Sequence, residues 1–222
     1  MSLQALFILC VAMIGGAAFA AEPQAASQAM DEGLVAVRSR NLDELYLRPN
    51  ADLAGYRRVL IDPVRAEMRS DWLKNLNYTR NVSRWVRPDD AQRIATEAAS
   101  SLESIVAEAF KARGYEITAA PEPGVLRLSP SIADLYVNAP DRFSPWTTKT
   151  FTRDAGQATL LLEARDAVSG ALLARVVHHG TAREISRLST ASDVSNRFWF
   201  DTLFRRWTAD CIAEFEASKN RP

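Results

Sequence analysis

Two apolar arms separated by a short turn constrain this chain more than any other segment. The arms are ATLLLEARD (158–166) and ALLARVVHHGTAR (171–183), joined through Val168-Ser169-Gly170. The spacing predicts a β-hairpin over Gln157 to Arg183, with Gly170 at the left-handed position of a three-residue loop. That register sets Glu163 opposite Arg175, Leu162 opposite Val176 and Leu160 opposite His178. One face then carries Leu160, Leu162, Ala164, Ala174 and Val176, the core side. The other carries Thr159, Glu163, Arg165 and Arg175.

Two helices flank the strands. Pro88 suits a first helical position, where a missing N–H costs nothing. Asp89 and Asp90 complement the positive end of the helix. Ile94, Ala98, Leu102, Ile105, Val106, Ala109 and Phe110 form one stripe, and Gly114 caps the helix after Arg113. Ser192 to Lys219 predicts the closing helix, with Phe198, Leu203, Phe204, Trp207, Cys211, Ile212 and Phe215 as its apolar stripe. Further strands are expected at Val59 to Ile61, interrupted or edge-facing at Pro63, at Tyr115 to Thr118, and at Val125 to Val137 with a bulge at Pro130. The expected fold is α+β: a two-layer sandwich of a mostly antiparallel, four- to five-stranded sheet with two long helices on one face.

The N-terminus sets the address. Ala5 to Ala18 is apolar and uncharged, and Ala18-Phe19-Ala20 has small residues where a signal peptidase reads. The reading is a signal peptide over 1–20, a flexible leader over 21–41 with a short helix over Met30 to Arg38, and one domain over 42–222. The expected location is periplasmic, across the inner membrane. The alternative is a membrane tether formed by an uncleaved N-terminus. Once the signal is cleaved, no integral membrane domain is expected. The mature chain keeps one cysteine, Cys211, so an internal disulfide is excluded and the domain stands on its core. Lys and Arg total 27 and so do Asp and Glu, a balance that disfavours nucleic acid as a partner.

The sequence holds no nucleophile elbow, phosphate loop, dinucleotide fingerprint or zinc-protease motif. Its two histidines, His178 and His179, are adjacent on a strand and point to opposite faces, so they do not share one metal. Asp62, Asp134 and Asp166 lie on or beside strands with no spacing to a nucleophile, and turn hydrogen bonds account for them. No catalytic residue, metal or cofactor is expected, and the chain is read as a non-enzyme. Two irregular stretches remain, Ser70 to Arg87 and Asn138 to Gly156. They concentrate aromatic and basic residues. Trp72, Tyr78, Arg84, Trp85, Phe143 and Trp146 are the candidate partner surface, or else a plug for the sheet face that the helices leave open.

Four blocks in this order carry a resemblance: LRPNADLAGYRRVLIDPVRAEM (47–68), RPDDAQRIA (87–95), PEPGVLRLSPSIADLYV (121–137) and EARDAVSGALLARVV (163–177). The chain resembles the bacterial domain-of-unknown-function family numbered 3313 from about Asp43 to Phe215. Members of that family are mostly predicted envelope lipoproteins. This chain lacks their lipobox, which favours a soluble form. The resemblance implies no catalytic motif. The resulting expectation is a non-catalytic periplasmic binding or accessory protein of the cell envelope, with an envelope protein or glycan as partner. The alternatives are a hydrolase acting on envelope polymers and a membrane-tethered structural protein.

Overall fold

The computed structural model describes residues 29–30, 32–78, 80, 82, 85–138, 151–152, 154–183, 189–190 and 193–219. The predicted signal peptide, Arg84, Phe143 and Trp146 lie outside them. Ten strands lie among the described residues: β1 (Val35–Ala36), β2 (Glu44–Leu47), β3 (Arg58–Ile61), β4 (Arg65–Met68), β5 (Glu116–Ile117), β6 (Val125–Val137), β7 (Phe151–Thr152), β8 (Asp154–Asp166), β9 (Leu172–Arg183) and β10 (Ser189–Thr190). Among the described residues the longer helices are α1 (Trp72–Tyr78), α2 (Pro88–Ala112) and α3 (Asp193–Ser218).

Eight strands form one mixed sheet in the order β1-β2-β9-β8-β6-β3-β5, with β4 also against β6, and β7 pairs with β10 apart from it. The α+β class and the mostly antiparallel pairing stand, but the sheet is wider than four or five strands and carries parallel pairs at one side. β3 runs parallel to β5 and β6, and β4 runs parallel to β6. The reason is the long helix between β3 and β6: a strand, a helix and a neighbouring strand make a crossover, which leaves the two strands parallel.

The hairpin keeps its predicted register. Glu163 pairs with Arg175, Leu162 with Val176 and Leu160 with His178. Gly170 has φ 71°. Asp166 accepts hydrogen bonds from the Val168 and Ser169 main-chain N–H groups at 3.2 and 2.7 Å, which closes the turn. β6 matches its predicted span, but its irregularity falls between Ala133 and Tyr136, not at Pro130. Asp134 there has φ 51°. Pro130 is accommodated by the break in its neighbour. Leu128 O on β6 accepts from Asp62 N–H at the end of β3. Pro130, two residues on, aims the same way, toward the gap between β3 and β4 around Pro63.

Both long helices cover one face. Leu102, Ile105, Val106 and Phe110 of α2 join Phe200, Leu203, Phe204, Trp207 and Ile212 of α3 over Leu126, Leu128, Ile132, Leu160 and Val176 of the sheet. Phe198, expected in the α3 stripe, is exposed, and Phe200 takes its place. Gly180 on β9 lets α3 approach: an added Cβ would lie 2.5 Å from Leu203 Cδ1 and 2.9 Å from Trp207 Nε1.

The expected leader is part of the domain from at least Ala29. Ala29, Leu34, Tyr46 and Leu172 make a second buried cluster, and β1 pairs with β2 where a helix over Met30 to Arg38 was expected. Arg165 donates to both Glu32 carboxylate oxygens, at 3.1 and 3.2 Å. A few apolar side chains and one ion pair recruit this segment, against a composition typical of linkers.

Candidate functional site

The stretch Ser70 to Arg87 is not irregular throughout. Its first part is α1, and Trp72 is its anchor. Trp72 is fully buried, and its indole N–H donates to Val137 O on β6 at 2.9 Å. Arg69 stacks over the Tyr136 ring at 4.0 Å. Trp72 is therefore removed from the candidate surface; it is part of the main core, in one cluster with Leu135 and Val137. The physical cause is β6, whose final residues present a main-chain acceptor and an apolar bed to the indole.

Asn77, near the end of α1, closes a loop. Its amide Nδ2 donates to Val86 O at 2.8 Å, and its Oδ1 accepts from Val86 N–H at 2.8 Å. Val86 is buried, so the loop base is fixed on both sides. Between these two residues Tyr78 is 87% exposed, Val82 73% and Trp85 46%. The Trp85 indole N–H is tied to Arg80 O at 3.1 Å, which limits its rotation. Compact loops with joined ends commonly carry function. From Lys74 to Arg87 the sequence contains Lys74, Arg80, Arg84 and Arg87 and no acid. Two of the predicted surface residues, Tyr78 and Trp85, thus come together on one clamped loop. Val82 and the clamp residue Asn77 escaped the sequence reading. A lone Val in a polar stretch and a lone Asn carry no local signal of exposure or of closure.

Beyond the loop, α2 starts with Arg87 N–H donating to the Asp90 carboxylate at 2.9 Å. A small cavity of about 60 Å³ lies between α2, α3 and the end of β6, walled by Ile94, Leu135, Val137 and Phe204. Its mouth is charged. Glu97 accepts from Arg93 at 3.0 Å and Arg197 at 2.9 Å. Burial pushes the Glu97 carboxyl up, but the two guanidinium groups outweigh it and hold the group below its ordinary value. Asp201 accepts from Ser101 beside them.

The histidines sit on opposite faces. His178 Nδ1 lies 2.9 Å from Asp43 Oδ2, with its ring beside Trp207 at 6.2 Å between centroids. His179 Nδ1 meets Thr159 Oγ1 at 2.8 Å on the other face, while its main-chain N–H donates to Asp43 at 2.7 Å. Burial raises the Asp43 carboxyl, and hydrogen bonds from His179 and His178 outweigh it to hold the group low. This pairing ties the start of β2 to β9 and was not legible in sequence, since the partners are 135 residues apart. Among the described residues no cluster of three His, Cys, Asp or Glu side chains is placed to hold a metal. Asp166 makes turn hydrogen bonds, whereas Asp62 binds Arg127 at 2.9 Å and Ser129. Cys211 is buried, and burial pushes its thiol up to about 12.

The model of a protein family of unknown function, DUF3313, matches residues 24–207. This chain belongs to the DUF3313 family. The match spans all four sequence blocks and extends the resemblance to the N-terminal segment around β1. No curated protein matches the sequence. Among solved structures, the chain is similar to a single-residue variant of PelC from Paraburkholderia phytofirmans, a dodecamer, at 19% identity over 74% of this chain and 95% of that one, with a TM-score of 0.36. Protein XCC0632 from Xanthomonas campestris is 12% identical over 71% of this chain and 82% of that one, at a TM-score of 0.36. A protein from Helicobacter pylori described as a homolog of neuraminyllactose-binding hemagglutinin is 14% identical over 74% and 84%, at 0.35. No helix among the described residues of this DUF3313 member is long and apolar enough to cross a membrane.

Proposed function

We propose that this DUF3313 protein is a non-catalytic binding or accessory protein of the bacterial cell envelope, exported to the periplasm, and that the loop clamped by Asn77 is its partner surface. The carrying observation is the exposure of Tyr78, Val82 and Trp85 on a loop whose base is fixed by two hydrogen bonds to Val86. Exposed aromatic side chains held in place lose little freedom on binding, which is how such residues become anchors. The basic residues around them favour an acidic envelope protein or an anionic glycan.

Three measurements test this. Mass spectrometry of the periplasmic fraction is expected to find the mature N-terminus at or next to Ala21; intact Met1 in membrane pellets would replace export with tethering. A Tyr78→Ala/Trp85→Ala variant is expected to keep its melting temperature and to lose partner capture from cross-linked envelopes. A His178→Gln/His179→Gln variant is expected to complement a deletion strain. A folded histidine variant that fails to complement would favour the hydrolase reading.

A further inference from the structure

Strand β4 lies beside β6 and has no strand on its other side among the described residues. Its outward groups follow from alternation along a strand. Arg69 N–H donates to Leu135 O on β6. Glu67 and Arg65 therefore aim their main-chain groups at β6, and Val64, Ala66 and Met68 aim theirs outward. The bulge at Asp134 is on β6, so the alternation of β4 is unbroken. The Val64 N–H is occupied by Glu103 of α2 at 3.3 Å. The outward groups of Ala66 and Met68 have no partner among the described residues.

Arg65 and Glu67 are both exposed and flank Ala66 on the sheet face away from the helices. Neither side chain makes a salt bridge or hydrogen bond among the described residues. Edge strands are commonly blunted by charge. Here the signs alternate, so the edge is complementary to its own antiparallel image instead of repelling it.

We propose that β4 pairs with β4 of a second copy of this chain, antiparallel about a two-fold axis through Ala66. Ala66 then faces Ala66 of the second copy, and the two exchange both main-chain hydrogen bonds, because Ala66 points outward. Arg65 faces Glu67 of the second copy twice, at non-hydrogen-bonded positions where cross-strand side chains come closest. Met68 N–H meets Val64 O of the second copy, leaving the Glu103 contact intact. Other registers fail. A centre on Arg65 or Glu67 opposes groups already turned toward β6. A centre on Met68 sets Glu67 against Arg69, which is held by Asp71 at 2.6 Å. On α2, Ala99, Ser100 and Ala107 share the side of Glu103 by helical spacing, and their small size lets the helix of a second copy approach. The interface is isologous and closes at two copies.

The test is sedimentation equilibrium of the protein purified from the periplasm, from about 1 to about 300 µM, the range a short interface calls for. A reversible dimer is expected. Arg65→Glu and Glu67→Arg are each expected to weaken it about tenfold or more, since two attractive cross-strand pairs become repulsive. The double variant R65E/E67R restores both pairs and is expected to return to the wild-type affinity. Both positions are exposed, and circular dichroism verifies the fold; if one single variant misfolds, the other carries the test. A monomer at about 300 µM, a dimer indifferent to both reversals, or a double variant as weak as the singles overturns the proposal. None of these outcomes depends on the envelope partner or on the clamped loop.

Discussion

The Asn77 side chain spans Val86 with both of its polar atoms, donating to the carbonyl and accepting from the amide, each at 2.8 Å. It does for one residue what a strand neighbour does along a sheet edge. Asn77→Ala is expected to cost about 1–3 kcal/mol, because two partly buried main-chain groups lose their partners. Limited proteolysis is expected to cut faster between residues 78 and 85 than in the wild type. Asn77→Asp keeps the acceptor and is expected to fall between the two. Unchanged cleavage in Asn77→Ala would show that Val86 packing alone holds the loop.

Trp72 and Trp85 are thirteen residues apart and have opposite fates. Trp72→Ala is expected to destabilise by roughly 3–5 kcal/mol, the range for a fully buried large side chain. Tyr78→Ala and Trp85→Ala are expected to cost about 1 kcal/mol or less. Chemical denaturation of the three single variants measures this; an early melt of Trp85→Ala would make the loop a packing element.

Gly180 and Trp207 are coupled by contact. Gly180→Ala is expected to cost about 1–3 kcal/mol through overpacking against Leu203 and Trp207. Trp207 also has a buried indole N–H without a partner among the described residues. Trp207→Phe removes that orphan donor and relieves part of the clash. The double variant is expected to be more stable than the sum of the single effects by about 0.5 kcal/mol or more. Strict additivity in the cycle would contradict the close approach.

In the hairpin, Gly170→Val is expected to cost more than about 1 kcal/mol, because a β-branched residue resists positive φ. Thermal melts of this variant against Gly170→Asn, which tolerates the left-handed region, separate backbone strain from loss of a contact.

Acid is expected to weaken the sheet through Glu163. Burial raises its carboxyl, but hydrogen bonds from Arg175 and Arg165 outweigh that and hold it below the ordinary 4.5. The folded state therefore binds this proton less readily than the unfolded state. The contribution is fully present above the unfolded value and is lost as pH falls through the lower folded value. Asp62 with Arg127 and Ser129 acts in the same direction. Melting temperatures are expected to fall between about pH 5 and about pH 3, less steeply in Glu163→Gln than in the wild type. Parallel curves would place the acid sensitivity elsewhere.

What was legible in the sequence was local. The hairpin register followed from alternation within two arms and one glycine. The limits of α2 followed from Pro88, its first-turn aspartates and Gly114, all near the residues they organise. Family membership followed from the order of the blocks. The tertiary structure decided three other matters. It made β3 and β6 parallel, a consequence of where α2 returns the chain. It drew Val35, Ala36 and Glu44–Leu47 into the sheet, segments too short to show a period. It also sorted the tryptophans. Trp72 and Trp85 sit in similar aromatic and basic surroundings along the chain, but only Trp72 meets Val137 O, 65 residues away. Burial is set by what arrives from elsewhere in space, and no window of neighbouring residues contains that information.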